Sequence, residues 1–152
     1  MYAVVITIAV IGAVASNLRA QDGPTSYRLV IPESLEPGQE AMLQIVFDIE
    51  APWYIYAPTG VNEPMGMVET KISFVATDEV QTAKLQYPPH TEKGPFHVYE
   101  GKGITFTQPV RIRPRTAVGE YKVRGSALYQ VCKPDLCLPP ALDDIVVALK
   151  VE

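Results

Sequence analysis

The stretch Tyr129-Gln130-Val131-Cys132-Lys133-Pro134-Asp135-Leu136-Cys137-Leu138-Pro139-Pro140 holds the only two cysteines of this 152-residue chain, with four residues between them. Two chemistries suit such a pair. One is a redox switch that alternates between dithiol and disulfide. The other is a structural staple, against which magnitude weighs: closing so short a loop removes about 2 kcal/mol of unfolded-state entropy, compared with nearly 5 kcal/mol for a loop of about a hundred residues. A closed zinc site needs four ligands, and the only histidines, His90 and His97, lie far upstream without matching spacing. The pair is not C-x-x-C either. That shorter motif opens a helix whose N-terminus depresses the thiol pKa, whereas Pro134 and Leu138-Pro139-Pro140 argue against a helix here.

The elements that must position these residues read as strands. Leu43, Ile45, Phe47 and Ile49 alternate with Gln44 and Asp48, and Tyr121, Val123, Gly125, Ala127 and Tyr129 alternate with Lys122, Arg124 and Ser126. Further candidates are 26–31, 53–56, 68–76, 83–87, 104–112 and 142–151. Fourteen prolines between short strands, and no convincing 3.6-residue period, predict an all-β fold: an immunoglobulin-like antiparallel β-sandwich. Two long connections stand out as places for binding residues, 57–67 and 88–103. The first carries Met65 and Met67, and the second both histidines with Phe96 and Tyr99. Soft methionines near histidines are copper chemistry, but the simpler reading has Met65 and Met67 capping the core.

The length suits one domain whose core needs no disulfide to fold. Residues 3–15 are almost unbroken Ala, Val, Ile and Gly, too short for a membrane-spanning helix and suited to the apolar part of a secretory signal. Cleavage is expected after Ala15 or Ala20, although Met1-Tyr2 supplies no Lys or Arg. The expected organisation is therefore a signal peptide at 1–20 and one domain at 21–152. Export would put the cysteines in an oxidising compartment, where a disulfide is the default state and a reduced pair needs a dedicated electron supply. The net charge of −4, without a basic run, disfavours nucleic acid as a partner.

The segment Tyr-Gln-x-Cys-x-x-x-x-Cys-x-Pro-Pro at 129–140 resembles the active-site hairpin of the N-terminal periplasmic domain of the thiol:disulfide interchange protein DsbD. Trp53-Tyr54-Ile55-Tyr56 is similar to that family's aromatic strand, and Val98-Tyr99-Glu100-Gly101 with Ile104-Thr105-Phe106 is similar to the strand entered after its cap loop. The resemblance runs from about Tyr27 to the C-terminus. Two departures are visible. Some family members carry five residues between the cysteines, and aligning on Tyr99 puts Glu92 where the family has its cap-loop phenylalanine, leaving Phe96 as the candidate shield.

The resemblance implies an electron-relay domain, a thiol:disulfide oxidoreductase without metal or organic cofactor. Cys137 would meet partners and Cys132 would resolve or reclose the disulfide. Tyr54 and Tyr56 would line the site, the alternative being that they are core aromatics, and Glu92 and Asp135 are either nearby carboxylates that raise the thiol pKa or solvated loop charges. Trp53, facing the other way, is expected in the core. The implied partners are thioredoxin-like redox proteins and a membrane-embedded thiol reductase on separate chains. The competing reading is a secreted immunoglobulin-like binding module that keeps the cysteines as a permanent staple.

Overall fold

Alternating apolar and polar residues give strands that bury one face. The computed structural model describes residues 14–16 and 23–152, and among them the chain forms thirteen strands and no α-helix. They are β1 (Val14–Ser16), β2 (Thr25–Ile31), β3 (Glu40–Ile49), β4 (Tyr54–Tyr56), β5 (Lys71–Phe74), β6 (Val80–Thr82), β7 (Thr91–Lys93), β8 (Phe96–Tyr99), β9 (Ile104–Ile112), β10 (Gly119–Tyr129), β11 (Val131–Lys133), β12 (Leu136–Cys137) and β13 (Ala141–Val151). No helix among these residues is long and apolar enough to cross a membrane.

The strands form three antiparallel sheets, ordered β1-β2-β3-β9-β6, β13-β10-β5 and β12-β11-β4-β8-β7. The first two make the immunoglobulin-like sandwich. Leu29, Leu43, Ile45, Phe47 and Phe106 of one join Val123, Ala127, Tyr129, Ile145, Val147 and Leu149 of the other in a single buried cluster. The Phe47 ring lies edge-on to Phe106 at 5.7 Å and to Tyr129 at 5.3 Å, tying the layers together. Each such side chain contributes about 1.5–3 kcal/mol by burial, so the sandwich has ample stabilisation independent of the cysteines. Gly125 is required where β10 meets β5: a Cβ there would lie 2.4 Å from the Ser73 carbonyl oxygen and 2.7 Å from the Phe74 ring.

The predicted all-β sandwich is thus the observed fold, with local departures. Residues 83–87 do not form a strand. Ladder pairing to β9 ends at Thr82, and beyond it only Ala83 and Gln86 bond back, before Pro88-Pro89, which have no N–H to donate, carry the chain away. The expected long connection at 88–103 contains a hairpin, β7–β8. The predicted leader lies outside the described residues except for Val14–Ser16, whose backbone pairs with residues 29–31 at the edge of the first sheet.

The third sheet carries both cysteines. Only Gln130 separates β10 from β11, so the strand that supplies Val123, Ala127 and Tyr129 to the core delivers the first cysteine directly into the neighbouring sheet.

Candidate redox site

β4 is the centre of the third sheet, and its alternation divides two environments. Ile55 enters the main core, whereas Tyr54 and Tyr56 face the other way. With Val98 and Cys132 they form a second, smaller buried cluster, against which Met67 and Phe96 pack. The two tyrosine rings meet edge-on at 5.7 Å. Trp53 packs partly buried against the main core, with the Lys133 ammonium 5.4 Å above its ring.

On one side of β4 lies the cysteine hairpin. Cys132 pairs with Tyr54, and Lys133 pairs with Leu136 across a two-residue turn made of Pro134 and Asp135. This register sets Cys132 and Cys137 directly opposite one another, with Cα atoms 4.1 Å apart, and they are joined by a disulfide. The two sulfurs have different surroundings. Cys132 is 0 % exposed beneath Tyr54, whereas Cys137 is exposed on edge strand β12, beside Leu136 at 49 % exposure and the exposed Pro139 and Pro140. The Tyr56 hydroxyl lies 4.0 Å from the Cys137 sulfur and is the donor, because a disulfide carries no S–H. Burial, and then the neighbouring Tyr54, push the Tyr56 phenol up to about 12, so it keeps the proton it donates.

Gln130 fixes the base of this hairpin. Its side-chain oxygen accepts from the Val68 N–H at 3.2 Å and its amide donates to the Leu138 carbonyl at 3.3 Å. The Leu138 N–H closes the strand pair by donating to the Val131 carbonyl at 2.9 Å.

On the other side of β4 lies the β7–β8 hairpin. Lys93 pairs with Phe96 across Gly94-Pro95, and Gly94 takes a φ of 60°, which the tight primed turns of hairpins favour at their first position. Phe96 and Val98 face the site. The Phe96 ring packs against Tyr56 at 5.6 Å, and the Lys93 ammonium lies 5.3 Å over the Tyr54 ring while pairing with Glu100 at 2.9 Å. Behind β8, the buried Asn62 side chain donates to the carbonyls of Ala57 and His97 and accepts the His97 N–H, at 2.9–3.0 Å. The buried Glu69 carboxylate in turn accepts the N–H groups of Gly60 and Asn62.

Of the residues singled out from sequence, Cys132, Cys137, Tyr54, Tyr56 and Phe96 come together here. Asp135 stands at the turn tip, 3.9 Å from Lys133 and open to solvent. Glu92 is not beside the sulfurs: alternation along β7 turns it to the opposite face, where its carboxylate lies 4.0 Å from His97. His97 stacks on His90 at 4.3 Å. Among the described residues no group of three or more His, Cys, Asp or Glu side chains is placed to hold a metal. Met67, expected over the core, packs on the cysteine cluster instead, and Met65 is exposed. Lys93, Asn62 and Gln130 were not identified from sequence as holding the site together. Lys93 was legible in principle, since a residue paired with Phe96 across a two-residue turn shares its face.

The antiparallel sandwich of this chain is similar in fold to a solved structure. The N-terminal periplasmic domain of ScsB from Proteus mirabilis is 12 % identical with a TM-score of 0.52; the match covers 90 % of this chain and 49 % of that one. The chain thus spans about half the length of that structure, with which it shares a fold. The DsbD N-terminal domain of Neisseria meningitidis in the reduced form is 16 % identical with a TM-score of 0.46, covering 84 % of this chain and 86 % of that one. No curated protein sequence matches the chain. Residues 26–148 match the family model of the N-terminal region of the thiol:disulfide interchange protein DsbD, and on that match over most of its length the chain belongs to the DsbD N-terminal domain family.

Proposed function

We propose that this domain relays electrons outside the cytoplasm through Cys132 and Cys137, between a membrane-linked or thioredoxin-like donor and oxidised envelope proteins. A donor thiolate attacks the Cys137 sulfur in line with the disulfide and forms a mixed disulfide, and Cys132 leaves as a thiolate that takes up a proton. The donor's second thiolate attacks the donor sulfur of the mixed disulfide, and Cys137 leaves with its electron pair and takes up the second proton. Two electrons and two protons have then entered the domain. On an oxidised client the steps run in reverse, with Cys137 attacking and Cys132 resolving. The Tyr56 hydroxyl, already donating toward the Cys137 sulfur, stabilises charge there when that sulfur is a thiolate.

The observation that carries this reading is the unequal exposure of the two cysteine residues: Cys132 is buried in the tyrosine cluster and Cys137 is exposed on an edge strand. A partner reaches one sulfur and not the other. Membership of the DsbD N-terminal family and the fold shared with a periplasmic domain support the exported setting. Cys132→Ala is expected to accumulate mixed disulfides with an oxidised thioredoxin-like partner, whereas Cys137→Ala is not, as read on non-reducing gels. Equal trapping by both variants removes the asymmetric assignment. No trapping by either, with a reduction potential below about −300 mV, assigns the bond to a structural staple.

A further inference from the structure

We infer that Lys93 is a positioning residue of this site: its ammonium fastens the tip of the β7–β8 hairpin to Tyr54 and thereby keeps Cys132 covered. The inference deepens the redox reading of the Cys132–Cys137 pair and rests on it. Lys93 and Phe96 flank the two-residue Gly94-Pro95 turn, and each meets one of the two site tyrosines. Phe96 packs edge-on against Tyr56 at 5.6 Å, and the Lys93 ammonium lies 5.3 Å over the face of Tyr54. Tyr54 is the register partner of Cys132. The tip therefore bears on the two rings that wall in the buried sulfur.

The two contacts differ in kind. An aromatic edge contact is indifferent to salt, whereas a cation held over a ring and beside a carboxylate is weakened by it. Lys93 has both partners, since Glu100 at the end of its own hairpin accepts its ammonium at 2.9 Å. That ion pair joins two parts of one hairpin and cannot by itself tie the hairpin to β4. The Tyr54 contact can. The other titratable neighbours, Glu92 and His97, lie on the opposite face of the hairpin, so the Glu92 carboxylate does not compete for the ammonium.

The test uses the full chain in its reduced form and neutral iodoacetamide at single-hit exposure. Each cysteine is quantified separately by mass spectrometry. In alkylation the thiolate displaces iodide and forms a thioether, so no partner protein or electron acceptor is involved. Exposed Cys137 serves as the internal reference for buried Cys132. Lys93→Met keeps the apolar stem and removes the cation, and should raise the Cys132-to-Cys137 ratio about two- to five-fold at low ionic strength. Lys93→Arg, which keeps a cation over the ring, should restore the wild-type ratio. The wild-type ratio should rise with added salt, and that of Lys93→Met should not. An unchanged ratio in Lys93→Met, or a wild-type ratio indifferent to salt, overturns the assignment. So does equal acceleration by Met and Arg, which would trace the effect to stem packing. Because the ratio needs no redox partner, failure of mixed-disulfide trapping with an intact Lys93 effect would sink the relay and leave the latch standing.

Discussion

The two hairpins that flank β4 share a two-residue turn and differ in how they are fastened. The cysteine hairpin turns at Pro134-Asp135 and is closed by a covalent bond between directly opposed residues. The β7–β8 hairpin turns at Gly94-Pro95, and its tip meets β4 through a ring edge on Tyr56 and an ammonium over Tyr54. Its base is different again. Asn62 makes three hydrogen bonds from a fully buried position, two of them to the backbone of His97 on β8. One hairpin is therefore closed by a bond that only thiol–disulfide exchange or reduction opens, and the other combines a hydrogen-bonded base with a tip held by weak non-covalent contacts.

The largest effect in this comparison should come from the fixed base. Asn62→Ala leaves the His97 N–H and two carbonyls without their side-chain partner, and unsatisfied buried groups cost about 1–3 kcal/mol apiece. With partial relaxation the expected loss is about 2–4 kcal/mol, read as a lower urea midpoint. A loss below about 0.5 kcal/mol would mean that the base of the β7–β8 hairpin is not what anchors it.

Removing the covalent closure should cost less. The double variant Cys132→Ala/Cys137→Ala opens a loop already held by strand pairing and by the Leu138 N–H to Val131 bond, so the expected loss is about 2 kcal/mol or less. Against a total stability of about 5–15 kcal/mol the domain stays folded, with its circular-dichroism spectrum unchanged. A variant that unfolds at room temperature would move the bond from the redox to the structural side of the comparison.

These differences also explain what could be read from sequence. Strands that bury one face announce themselves: residues 104–112 were bounded correctly, and Leu43, Ile45, Phe47 and Ile49 are all core. The β7–β8 hairpin did not, because Thr91–Lys93 is three residues long and mostly polar, and it is a strand only because β8 pairs with it. Without a period of its own, this segment takes the register that sends Glu92 outward and Lys93 inward only from its pairing with β8. The cysteine pair was visible from residue type alone. The burial of one sulfur was not, since it arises when β11 is laid beside Tyr54, a partner more than seventy residues away. Asn62 was equally hidden: an isolated asparagine in a polar connection carries no mark of burial until β8 is placed against it.

The smallest effect belongs to Phe96, at the tip of the β7–β8 hairpin. Its ring is half-buried against Tyr56, and the Gly94-Pro95 turn sets its approach. An aromatic pair of this geometry adds about 0.5–1.5 kcal/mol beyond simple burial, which corresponds to a two- to twelve-fold change in the fraction of time the tip is lifted. That fraction sets the rate at which a small oxidant reaches the buried Cys132, because Cys137 is exposed in either state and only the lifted tip exposes both cysteines. Phe96→Ala should therefore speed oxidation at Cys132, followed in a Cys137→Ala background, within that range, and melting should shift little, since Phe96 packs on the small cysteine cluster rather than the sandwich core. A large drop in melting temperature with an unchanged oxidation rate would place Phe96 among the residues that hold the fold. The shield would then have to be sought in Met67, the other side chain packed on the same cluster.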